Sequence, residues 1–203
     1  MQAKFLPDDG RCPPPDSDCV RGHLPTLPDL SLSIANMKAS NGPAAELVRL
    51  DAASDYRLTI ILDTDGETKD AILDAWAHHQ PLPLAWMHLD HSDNDPMRFF
   101  PCLQACLHDT GLFPTVPSLH DEKPVWEDHL TQALNAAIDA PGDFFLILDD
   151  YHLITSPEIH QALGWMLDYI PYQMHLLITS CQPLPLPVPR LRLRHLVLEI
   201  DLR

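Results

Sequence analysis

The chain has 203 residues, enough for one domain with a full hydrophobic core, or one domain and a tail. No apolar run approaches the length of a helical membrane span. The net charge of −16, with 13 Lys and Arg against 29 Asp and Glu, argues against direct nucleic-acid binding, which needs clustered cations for the phosphates.

Residues 1–50 show no sustained period, and RCPPPDSDC and LPTLPDL are rich in proline and acid. They predict an extended or disordered arm, with a single domain over 51–203. From Leu58 the chain alternates short apolar runs with amphipathic segments. Leu58–Leu62 predicts a buried strand, and Lys69–His79 a helix with Ile72, Leu73 and Trp76 on one face. Leu84–Leu89 predicts the second strand. Asp95 and Pro96 supply an N-cap and a first-turn proline for a helix to about His108, with Phe99, Phe100, Leu103 and Leu107 inward. Pro124–Asp139 reads as a further helix and Phe144–Leu148 as the third strand. Ser156 and Pro157 repeat the cap-and-proline opening for a helix to Tyr169. Leu176–Ser180 and Leu196–Ile200 complete five strands. Strands separated by helices predict a parallel sheet covered on both faces, a three-layer α/β domain.

The third strand ends abruptly in Asp149 and Asp150. A buried strand that delivers two acids at its C-terminal edge is the Walker B arrangement of nucleotide triphosphatases. There the first acid holds magnesium and the second polarises the attacking water. The bland alternative is a buried strand followed by a polar turn. The residues that follow weigh against it. FFLILDDYHLITSPEIHQALGWMLDYIP (144–171) resembles the LDDYH signature of MalT-type regulators, LuxR-related transcription factors with an N-terminal signal-transduction (STAND) ATPase part. PLAWMHLDHSDNDPMRFF (83–100) and HLLITSCQPLPLPVPRLRLRHLVLEIDLR (175–203) resemble two further blocks of that family, in the same order.

The resemblance implies a three-layer P-loop NTPase-like fold with a five-stranded parallel sheet flanked by helices, in which the Walker B strand lies beside an inserted fourth strand. It also implies ATP and Mg2+ as cofactors, with Asp149 as metal ligand and Asp150 as the catalytic residue that activates water. Aligned on Trp76, the phosphate loop falls at DTDGETKD (63–70). Of G-x-x-x-x-G-K-S/T only Lys69 is kept. Asp63 and Thr68 stand for the two glycines, Asp70 for the magnesium hydroxyl, and Gly66 fills an additional glycine position of the family. The nucleotide-binding candidates are therefore Gly66, Thr68, Lys69 and Asp70. Thr68 carries a Cβ where glycine would allow positive φ. Four carboxylates in eight residues oppose a triphosphate, each close like-charge contact costing on the order of 1 kcal/mol. ATP binding is expected to be weakened or lost. The family's arginine after the fourth strand is also missing, since Cys181 follows Ser180. Ser180 and Arg190 are the remaining candidates for a nucleotide sensor.

Other clusters carry less. His88, Asp90, His91 and Asp93 resemble metal-ligand spacing, but Asp90, Asn94, Asp95 and Pro96 match family positions that have no metal role. Ser180 and Cys181 sit at a strand end without a nucleophile elbow. The proline-rich QPLPLPVPRLR segment (182–192) could adopt polyproline II and dock an aromatic groove, but reads rather as a structural loop leading to the arginine cluster. The five cysteines lack zinc spacing and no signal peptide opens the chain, which predicts free thiols in the cytoplasm.

Two functions follow from the resemblance. One is a truncated, partly degenerate nucleotide-binding switch domain of a MalT-type regulator, with a second copy or an intact homologous regulator as partner and no DNA contact of its own. The other is a non-catalytic interaction scaffold derived from that domain.

Overall fold

A computed structural model describes residues 43–64, 67–111 and 126–202. Strands β1 (Leu58–Leu62), β2 (Leu84–His88), β3 (Phe144–Asp149), β4 (Met174–Ser180) and β5 (Val197–Asp201) form one sheet in the order β2-β3-β4-β1-β5. All four pairings are parallel, so every strand ends on the same edge. β3 and β4 are buried along their whole length, which is why β3 reads as a continuous apolar run up to Asp149 and β4 carries Leu176, Leu177 and Ile178 without alternation. β4 lies between β1 and β3, the order that the family resemblance implies.

Side chains alternate across a strand, so the sheet sorts its residues into two cores. Ile61, Phe145, Ile147 and Leu177 face α2 (Glu67–His79), whose Ile72, Leu73 and Trp76 cover them. Ile60, Leu146, Leu148 and Ile178 face the other way. There they meet α3 (Pro96–Asp109), α4 (Trp126–Ile138) and α5 (Pro157–Tyr169) through Phe99, Phe100, Leu130 and Leu163. The result is the expected three-layer α/β architecture. Trp76 stands edge-on to Phe145 at 4.9 Å, fixing α2 against the centre of the sheet.

Three local expectations need correction. The predicted arm runs too far, because Pro43–Leu50 is a helix, α1. Leu50 is fully buried, and Arg49 bonds both Glu46 and the Glu199 carbonyl on β5. Docking holds this eight-residue helix, since isolated helices so short are marginal. The remainder of the arm, 1–42, lies outside the described residues. Second, the segment read as loop over 182–192 turns helical in its last residues, α6 (Pro189–Leu193), seated on buried Leu186, Val188 and Leu191. Third, the Ser156 hydroxyl does not cap α5. Asn94 instead accepts from the backbone N–H groups of Thr155 and Ser156 at 2.6 and 3.0 Å, and its own amide donates to the Leu153 carbonyl at 2.8 Å. Asp95 does cap α3 as read, accepting from the Met97 N–H at 2.9 Å.

Candidate functional site

Four residues continue the sheet face that carries Ile61, Ile147 and Leu177 beyond the strand ends or close to them. These are Asp63 after β1, His88 on β2, Asp149 on β3 and Thr179 on β4. His88 lies opposite Asp149 in register, and the pairing of Leu148 with Ile178 brings Thr179 to the other side. The strands thus set out a row with Asp149 at its centre. The Asp149 Oδ1 atom accepts from Thr179 Oγ1 at 2.6 Å and from Lys69 Nζ at 3.0 Å, and Oδ2 accepts from His88 Nδ1 at 3.0 Å.

Lys69 reaches this row from the first turn of α2. Its side chain is only 6% exposed, and its ammonium lies 2.7 Å from Asp150 and 3.2 Å from Asp70 as well. Burial by itself penalises the charge on Lys69, but Asp149 and Asp150 outweigh that penalty and raise its pKa above the usual lysine value. Burial likewise opposes the Asp149 carboxylate. The His88 hydrogen bond, the Lys69 charge and the Thr179 hydroxyl prevail, holding Asp149 well below the usual carboxylate range. Both groups are therefore charged across the physiological range.

Asp150 should point to the opposite face by alternation. It does not, because its backbone turns left-handed at φ 61° and ψ 40°. That conformation is uncommon outside glycine but tolerated by aspartate. It is held by the Asp150 N–H donating to Thr179 Oγ1 at 2.8 Å. One threonine hydroxyl therefore positions both acids. Asp63 acts on the loop side: its carboxylate accepts the backbone N–H of Lys69 at 2.9 Å, and its own N–H donates to the Ser180 carbonyl at 3.1 Å.

Of the sequence candidates, Lys69, Asp70, Asp149 and Asp150 converge. Thr68 precedes Lys69 in the same helical turn, and Gly66 lies outside the described residues. Ser180 does not join the cluster. It has the parity of Ile178, and its hydroxyl is spent within the chain on Gln182. The residue beside it, Thr179, is the one that bonds the acids. Arg190 does not join either. It sits 3.5 Å from Asp168 in the last turn of α5, a helix that starts near the acids and runs back toward the opposite edge of the sheet. Thr179 was missed, although two-residue alternation along LLITS would have marked it, while His88 and Asp63 were singled out for other roles than the ones they take here.

The His88–Asp93 stretch is divided among separate tasks. His88 serves Asp149, Asp90 and Asp93 close a capping box, and Asp93 also pairs with Arg98 at 3.1 Å. Among the described residues no group of three or more metal-ligating side chains is preassembled. The oxygens of Asp149 and Asp150 are hard donors of the kind Mg2+ takes, and Lys69 now bridges them. No helix among the described residues is long and apolar enough to cross a membrane.

No protein-family model matches the chain. It is 32% identical over 165 residues to the HTH-type transcriptional regulator MalT of Yersinia enterocolitica, covering 77% of this chain and 18% of that protein. It is 33% identical over 158 residues to MalT of Cronobacter sakazakii, covering 76% and 17%. The chain thus spans less than a fifth of the length of these relatives. Among solved structures it is similar to a chain of Drosophila ORC bound to AT-rich DNA and Cdc6, with a TM-score of 0.50 and 11% identity over 87% of this chain and 61% of that one. At that identity the likeness concerns the fold alone. Over one stretch of their length the chain is similar to the MalT transcriptional regulators, and that stretch folds here as a three-layer α/β domain around a five-stranded parallel sheet.

Proposed function

We propose that this chain is a nucleotide-responsive regulatory domain of the LuxR-related, STAND ATPase type, with affinity for ATP weakened by its acidic loop. One observation carries the reading. A lysine in the first turn of the helix after β1 meets the two acids that end β3, the convergence a triphosphate site requires. In this reading Lys69 binds the outer phosphates, Asp149 and Asp150 face the metal and the attacking water, and Thr179 keeps both acids in place. Magnesium, when bound, neutralises phosphate charge. The domain acts in the cytoplasm on a second copy or a homologous regulator rather than on DNA, consistent with the net charge of −16.

A second reading, a non-catalytic scaffold, draws on the same cluster. Three carboxylates surround an ammonium that has three protons to give, so Lys69 is fully satisfied as a structural ion pair. Calorimetric titration and thermal shift with magnesium-ATP and ADP separate the two. The switch reading expects saturable binding that is lost in Lys69→Met and reduced in Asp149→Asn, each measured below its own melting temperature. No heat and no shift at millimolar nucleotide with folded wild-type protein would falsify the switch and leave the scaffold.

A further inference from the structure

The two acidic departures from the phosphate-loop pattern do not point at random. Asp63 stands where the pattern has its first glycine, and its carboxylate occupies the backbone N–H of Lys69 at 2.9 Å. That N–H belongs to the first turn of the 13-residue α2, where free amides and the helix dipole favour an anion. Asp70 stands where the pattern has its hydroxyl, and its carboxylate lies 3.2 Å from the Lys69 ammonium. The two groups through which a lysine of this loop holds a phosphate, its amide and its ammonium, are thus both engaged by aspartates. Asp63 is buried at 4% exposure, so its carboxylate is packed against Lys69 rather than solvated.

We infer that Asp63 and Asp70 form a tethered anion, a built-in substitute for phosphate that keeps the domain in a self-liganded state. This deepens the proposed function and rests on its assignment of Lys69 to phosphate. The chemistry is a competition. A carboxylate fixed to the loop has a high effective concentration against a free phosphoanion, and an entering phosphate also meets its repulsion. The substitutions therefore place two carboxylates of the same chain on Lys69 where an external anion would go, and they do so without loss of the fold. A domain so arranged needs no nucleotide for its stability, unlike one whose lysine and loop amides wait for phosphate.

The test compares the full chain with Asp63→Asn/Asp70→Asn. Asparagine keeps an oxygen that accepts the Lys69 N–H, so the loop geometry is retained while both charges go. Asp70→Asn alone, at a side chain 68% exposed, is the second variant should the double one fail to fold. Binding of inorganic pyrophosphate and of ATP, both with magnesium, is followed by calorimetry, and folding by circular dichroism. The expected result is about tenfold tighter pyrophosphate binding in the double variant and about threefold in the single one, the range set by partly screened charge contacts. The variants should also melt lower without ligand and recover with it. Equal or weaker binding in folded variants overturns the tethered anion. If wild type nevertheless binds ATP through Lys69, the proposed function stands without it. If only the variants bind, the tethered anion stands and nucleotide switching by the native chain does not.

Discussion

Thr179 is fully buried, and its hydroxyl both donates to Asp149 and accepts from the Asp150 N–H. Thr179→Val keeps the shape and removes both bonds, leaving a buried carboxylate and an amide short of partners. We expect a loss of about 1–3 kcal/mol in urea unfolding. Lys69→Met should cost more, about 3–5 kcal/mol, because it strands Asp149 in the interior without a counter-charge. A loss under about 1 kcal/mol would show that the cluster is solvated rather than buried. The Asp149 carboxyl is depressed in the folded state, so the stability it adds is present above the ordinary carboxylate pKa. It is lost as pH falls from about 4 downward. The slope of unfolding free energy against pH below that point should therefore be shallower in Asp149→Asn than in wild type.

At the scale of elements, α5 packs against the proline-rich segment through Gly164. A Cβ there would sit 3.1 Å from both the Cγ and Cδ atoms of Pro187. In an exposed helix, Gly→Ala gains about 1 kcal/mol from propensity. Here Pro187 is a rigid ring held between buried Leu186 and Val188, so it gives little and the sign reverses. Gly164→Ala should lower the urea midpoint in wild type and raise it in a Pro187→Ala background. A gain in both would mean that the segment yields easily. The same close approach explains why 182–188 could not be read as packed from sequence. Its prolines signal extended chain, whereas its anchoring depends on a glycine some twenty residues earlier.

For the molecule as a whole, charge is the dominant unspent energy. With a formal charge of −16, folding brings acids together, and at the strand-end edge Asp70, Asp149 and Asp150 share one ammonium while Asp63 takes the backbone N–H of the same lysine. Added salt screens this repulsion, the Debye length falling from about 30 Å at 0.01 M to about 8 Å at 0.15 M. The melting temperature should rise over that range, as read by differential scanning fluorimetry. A flat or falling profile would show that the ion pairs outweigh the excess negative charge.

Much was legible in the chain itself. An uninterrupted apolar run gave β3, the short apolar stretch from Leu176 gave most of β4, and the helical period gave α2 with Ile72, Leu73 and Trp76 inward. Asp95 and Pro96 gave the start of α3, and LDDYH gave the two acids. These are local properties, fixed by residue type and spacing. What lay beyond the sequence was decided across the fold. Left-handed backbone at Asp150 turns its side chain onto Lys69, and the parity of β4 selects Thr179 over Ser180. Arg190, on α6, pairs with Asp168 at the far end of α5 and not with the acids, and Asp63 closes on an amide six residues ahead. Each depends on which strand lies beside which and on where a turn aims a side chain, and only packing of the whole sheet fixes those directions.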